Sequence, residues 1–130
     1  MLQKLITQLG IELSMEDLIT TTEDHEYLLP FDNDIEIKAV ALEKSHLLKG
    51  SIGPCPEQNK SAFLLKTMEA NLFGMGTRGA VIGLNDEGKL LTLSMELDYN
   101  SSFKEFQEKL EDFVSVLDFW RKEASEHQKR

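Results

Sequence analysis

The chain has 130 residues and a mass of 14.8 kDa, the size of one ordinary domain. Hydrophobic residues make up 41% and charged residues 28%, a globular balance that argues against disorder. With 23 Asp and Glu against 14 Lys and Arg, the net charge is −9, which repels phosphate backbones and argues against nucleic acid as a partner.

No apolar run approaches the ~20 residues a membrane helix needs. The segment Met1–Gly10 spaces its apolar residues and precedes no small-residue cleavage site, so it does not read as a signal peptide. Cys55 is the single cysteine, which forbids an internal disulfide. The expectation is a protein of the reducing cytoplasm, with no membrane contact. The acid is uneven: residues 1–30 carry six acidic residues and one lysine. The plain reading of Glu12–Glu26 is a solvated loop. The sharper one is a surface for a basic partner segment.

The first helix is predicted over about Leu2–Leu9. Leu2, Leu5, Ile6 and Leu9 fall at i, i+3, i+4 and i+7, and Gly10 suits a stop. Residues 11–26 read as loop. Three strands follow, Tyr27–Phe31, Ile35–Leu42 and His46–Ile52, joined near Asp32-Asn33-Asp34 and Glu43-Lys44-Ser45. Short polar turns make them an antiparallel meander, with Pro30 at an edge or a strand end.

The second helix is predicted from Gln58 to Phe73. At 100° per residue Leu64, Leu65, Met68 and Leu72 share one arc, while Phe63, Ala70 and Phe73 cover the opposite one. A helix apolar on two faces is buried on two faces. One sheet covers one of them, and the simplest cover for the other is a second copy of the chain.

Ala80–Leu84 and Leu90–Leu97 flank Asn85-Asp86-Glu87-Gly88, a hairpin signal with Gly88 where a left-handed residue is wanted. Leu91, Leu93, Met95 and Leu97 share one face. The last helix opens on the capping box Ser102-Phe103-Lys104-Glu105. It keeps Phe103, Phe106, Leu110, Phe113, Val114, Leu117, Trp120 and Ala124 at helical spacing. Ser125–Arg130 is polar and expected to fray. The fold class is therefore α+β: an antiparallel five-stranded twisted sheet with three helices, in the order helix, three strands, helix, two strands, helix.

Candidate chemistry is thin. Gly74-x-Gly76-x-x-Gly79 matches the dinucleotide fingerprint as a string, but a helix precedes it and a strand follows, the reverse of the required context. His25, His46 and His127 show no zinc spacing, and a Cys55/His46 dyad has no local mark of a nucleophile. Asp32-Asn33-Asp34 opens like a calcium loop, yet Ile37 stands at its sixth position in place of the required Gly, so although Glu43 falls at the twelfth a hairpin turn is the expected reading. Trp120 and the Phe series stand at core spacing. No catalytic, metal or cofactor site is expected.

With these elements placed, the second half resembles the class I type III secretion chaperones, the Tir-chaperone-like family. The resemblance rests on Asn71-Leu72 ending a helix, Thr77 with Gly79-Ala80 entering a strand, Gly83-Leu84 before the hairpin, and Phe113-Val114 with Trp120 in the final helix. It implies a small acidic homodimer that binds the N-terminal segment of secreted effectors in extended form. It also implies delivery to the export apparatus, where the secretion ATPase is a further partner. The expected dimer face is Phe63, Leu64, Thr67, Met68 and Leu72. The expected effector face is Leu2, Leu5, Ile6, Leu9, Tyr27, Leu29, Ile35 and Ile37. A helix stripe alone does not separate a client patch from ordinary core. The competing readings are a chaperone-like regulatory or heterodimeric partner protein, and a small ligand-binding enzyme using the Gly74–Gly79 loop.

Overall fold

A computed structural model describes residues 2–23, 26–31, 35–72 and 76–129. The predicted turn at Asp32–Asp34, His25, Phe73 and the start of the glycine loop lie outside these residues. The elements are α1 (Leu2–Leu13), β1 (Thr20–Glu23), β2 (Glu26–Phe31), β3 (Ile35–Ala41), β4 (Ser45–Pro54), α2 (Lys60–Asn71), β5 (Val81–Leu84), β6 (Leu90–Asp98) and α3 (Phe103–Lys129).

The sheet is antiparallel throughout and has six strands in the order β1-β2-β3-β4-β6-β5. The meander and the C-terminal hairpin form as the sequence predicts. The sixth strand corrects the expected five. β1 is Thr20-Thr21-Thr22-Glu23, hidden in the acidic loop. Its threonines suit a strand through their β-branching, but no alternation with apolar residues marks it.

α1 runs past Gly10 to Leu13. Ser14 takes a left-handed φ of 55°. Met15 N–H bonds Gly10 O and Ser14 N–H bonds Ile11 O, the paired bonds of a Schellman stop. Gly10 serves a close approach instead: a Cβ there would stand 3.3 Å from Ile19 Cδ1. α3 is the longest helix. Glu105 N–H bonds Ser102 Oγ at 3.1 Å and Ser102 N–H bonds Glu105 Oε1 at 3.3 Å, closing the capping box. Its last turn is helical to Lys129 rather than frayed.

Alternation along the strands sends Leu29, Ile37, Leu48, Leu91 and Leu93 to one face of the sheet, where all are buried. α1 and α3 cover that face. Their Leu5, Ile6, Leu9, Phe106, Phe113 and Leu117 join the same cluster. α3 closes tightly on β4 at Gly50, where a Cβ would stand 2.7 Å from Leu117 Cδ2. α2 lies beyond the sheet, beside β5.

The hairpin between β5 and β6 is fixed by Asn85. Its Oδ1 accepts from Lys89 N–H and Leu90 N–H at 3.0 and 3.1 Å. Gly88 follows with φ 70°, as its place in the turn requires.

Candidate functional site

α2 is held to the sheet edge by one side chain. Asn71 Nδ2 donates to Ile82 O at 2.9 Å, and Ile82 N–H donates to Asn71 Oδ1 at 2.8 Å. The carboxamide thus satisfies both backbone groups that β5 turns outward at Ile82. This edge is occupied at its centre by the chain's own side chain.

With α2 so placed, its two apolar arcs separate. Phe63 and Thr67 are buried within the chain, which corrects their expected place at the dimer face. Phe63 meets Trp120 edge-on with centroids 6.2 Å apart, and Thr67 Oγ1 donates to Leu64 O. Leu64 is half-buried against the core. Met68 and Leu72 are 67% and 60% exposed, and Leu65, which the expected face omitted, is 56% exposed. Leu65, Met68 and Leu72 lie at i, i+3 and i+7, one stripe directed at solvent. Val81 and Leu84 of β5 are exposed next to it.

The expected effector face also needs correction. Leu2, Leu5, Ile6 and Leu9 are buried, as are Leu29, Ile35 and Ile37. They all face the layer between the sheet and the helices and hold the fold together, so none of them forms an outward apolar patch. Tyr27 alone of that set is half-buried. The apolar side chains that α1 offers outward are Ile11, 61% exposed, and Leu13; Leu18 follows in the loop, 59% exposed. Two clefts flank α1. One, of about 400 Å³, runs between α1 and α3 and is lined by Leu9, Leu13, Phe31, Leu110 and Val114. The other, of about 250 Å³, separates α1 from β1 and is lined by Ile6, Gly10, Ile19, Thr21 and Tyr27. Beside it runs the outer edge of β1, which among the described residues pairs only with β2. On the opposite face of the sheet Leu28, Val40 and Leu47 are half-buried, so the early strands are apolar on both sides.

The groups considered for chemistry are dispersed. His46 begins β4 and Cys55 follows its end, ~30 Å away along an extended strand. No dyad forms. The Cys55 thiol is buried, and burial pushes its pKa up, away from a reactive thiolate. Of the glycine loop, Gly76 is packed against α2 and α3. Gly76 N–H bonds Ala70 O, a Cβ at Gly76 would stand 2.8 Å from Ala70 Cβ, and Trp120 Nε1 donates to Gly76 O. Among the described residues no cluster of three or more His, Cys, Asp or Glu is placed to hold a metal, and no helix is long and apolar enough to cross a membrane.

His46 is a buried polar group with a measurable consequence. Its ring is 1% exposed and lies against Tyr99 with centroids 5.4 Å apart, and neither ring nitrogen has a hydrogen-bond partner among the described residues. Burial pushes its pKa below 6.5, opposed by the nearby Tyr99 and Ser45 backbone. The unfolded chain therefore binds the proton first. The neutral ring's contribution to stability is complete above about pH 6.5 and falls as the pH drops toward the folded-state pKa. Thermal melts from pH 7.5 to 5 are expected to show a falling midpoint. His46→Phe is expected to flatten that slope, and an unchanged slope would put the acid sensitivity elsewhere.

An acidic α+β chain with its polar chemistry dispersed and two apolar surfaces turned outward has the build of a protein that binds other chains. Its sequence matches the Tir chaperone protein (CesT) family over residues 4–121, and the chain belongs to that family. It is 26% identical over 122 residues to a protein of Chlamydia pneumoniae, covering 92% of this chain and 93% of that one. Its fold is shared by chains in three solved complexes. For the ExsC-ExsE complex the TM-score is 0.76 at 12% identity, covering 95% of this chain and 92% of that one. For the HopA1-SchA chaperone-effector complex it is 0.71 at 15% identity, covering 92% of each. For the Yersinia pestis type III secretion chaperone SycH with a fragment of YscM2 it is 0.70 at 19% identity, covering 90% and 97%. The architecture is that of the type III secretion chaperones.

Proposed function

We propose that this chain is a cytoplasmic type III secretion chaperone that works as a homodimer. It binds the N-terminal segment of an effector in extended form, keeps it competent for secretion and brings it to the export apparatus. The observation that carries this reading is the outer edge of β1, with Leu18 exposed two residues before that strand and Ile11 exposed in the last turn of α1. An extended segment adds to such an edge through main-chain bonds, and apolar pockets next to it select side chains. The clefts on either side of α1 supply those pockets. β5 does not compete as a site, because Asn71 already holds its outer edge at Ile82.

The stripe Leu65, Met68 and Leu72 supports the dimer. A soluble chain rarely leaves such a stripe bare. A specific interface needs roughly 800 Å² per partner, which α2 with the neighbouring β5 is long enough to supply. The enzyme reading of the glycine loop lacks such support, since its Gly76 is packed on Ala70 of α2 and accepts from Trp120.

The decisive experiment is copurification from a host carrying the secretion system, followed by truncation of the co-eluting protein. A secreted protein captured through its N-terminal segment alone is the expected result; capture through a folded C-terminal domain would contradict the proposal. Ile11→Asp with Leu18→Asp is expected to weaken that capture about tenfold or more. The thermal midpoint should move by less than about 2 °C, because both side chains are largely in water. Undiminished binding would place the client elsewhere.

A further inference from the structure

We infer that the last two turns of α3 are a latch that secures the start of α2 and so orders the face offered to the second copy. The inference rests on the dimer reading above.

α2 is poorly secured by its own sequence. It has 12 residues, fewer than an isolated helix needs to be stable. Its N-cap, Asn59, is left-handed with φ 49°, makes no side-chain capping bond, and no acidic residue stands in the first turn. The N–H groups at this end are therefore left to outside partners.

α3 supplies them. Trp120, Glu123, His127 and Gln128 fall at i, i+3, i+7 and i+8, on one side of that helix. Glu123 pairs with Lys66. The His127 ring lies 4.9 Å from the Phe63 ring, and its Nε2 is 3.2 Å from Asn59 O. A carbonyl only accepts, so that nitrogen carries the hydrogen. Gln128 Oε1 accepts from Glu57 N–H at 2.6 Å and from Gln58 N–H at 3.4 Å. A side chain 70 residues away thus ties down the two residues that lead into the N-cap.

The core does not explain this turn. Ala124 is the last buried residue of α3, and 125–129 are exposed or half-exposed. The stretch matched to the family ends at residue 121. What the added turn touches is the segment 57–63.

The test is amide hydrogen exchange on the full-length dimer. In Gln128→Ala the Glu57 and Gln58 amides are expected to exchange about five- to tenfold faster, with residues 60–66 following. Exchange in β4 and β6 should not change, and the dimer dissociation constant should rise about threefold or more. Gln128→Glu keeps the acceptor oxygen and is expected to restore both. A stop after Ala124 keeps the core stripe and should exaggerate both. Unchanged exchange at 57–66 in Gln128→Ala would overturn the latch. Faster exchange with an unchanged dimer constant would overturn its link to the interface, provided Met68→Glu yields monomers. If Met68→Glu stays dimeric, the interface reading fails and the link fails with it.

Discussion

Replacing Leu9 by alanine is expected to lower the thermal midpoint by about 10–15 °C. Leu9 is wholly enclosed, on the side of α1 that joins the core shared by the sheet and α3. Truncating an enclosed leucine removes its transfer energy and leaves a cavity, together about 2–5 kcal/mol. For a chain of this size each kcal/mol moves the midpoint by roughly 3–5 °C. Ile11→Ala, two residues on and exposed, is the matched control and should move it by less than about 2 °C. Client capture by the Leu9→Ala chain should fall only in step with unfolding. Lost capture with an unmoved midpoint would restore Leu9 to the client surface.

The elements with strong periodicity were legible before any coordinates. α3 is amphipathic over many turns and carries a reciprocal cap, so local and tertiary preferences agree. Asn85 and Gly88 mark the hairpin by chemistry that few other arrangements need. β1 was not legible, because a run of threonines inside an acidic stretch has no apolar face to show. It is ordered by pairing with β2, a contact made outside its own residues. Gly10 misled for a similar reason. Its role is an approach of Ile19 from the following loop, which no helical pattern reveals.

The surfaces were harder than the elements. The stripe Leu2, Leu5, Ile6 and Leu9 is real, but periodicity identifies a face without saying what covers it. Here the face meets the chain's own sheet, and the outward Ile11 and Leu18 lie off the stripe. In α2 the two arcs were visible and their roles were partly exchanged. Phe63 goes inward onto the edge of Trp120, with the His127 ring of the last α3 turn beside it.

Placing a carboxylate on that free arc is the sharpest test of the assembly. Met68→Glu and Leu65→Glu are each expected to weaken the dimer more than a hundredfold, giving monomers at micromolar concentration. The symmetry of a homodimer makes each substitution enter the interface twice. A buried, unpaired carboxylate costs several kcal/mol. Two of them far exceed the ~2.8 kcal/mol that a hundredfold change represents. The separate chain carries no such burden, since both side chains are more than half exposed within it. Circular dichroism should therefore show an intact fold while sedimentation shows half the mass. Phe63→Glu is the contrasting substitution. It places the charge against Trp120 inside the chain, and it should abolish folding at any concentration. A Met68→Glu and a Leu65→Glu chain that both sediment as dimers would remove α2 from the interface.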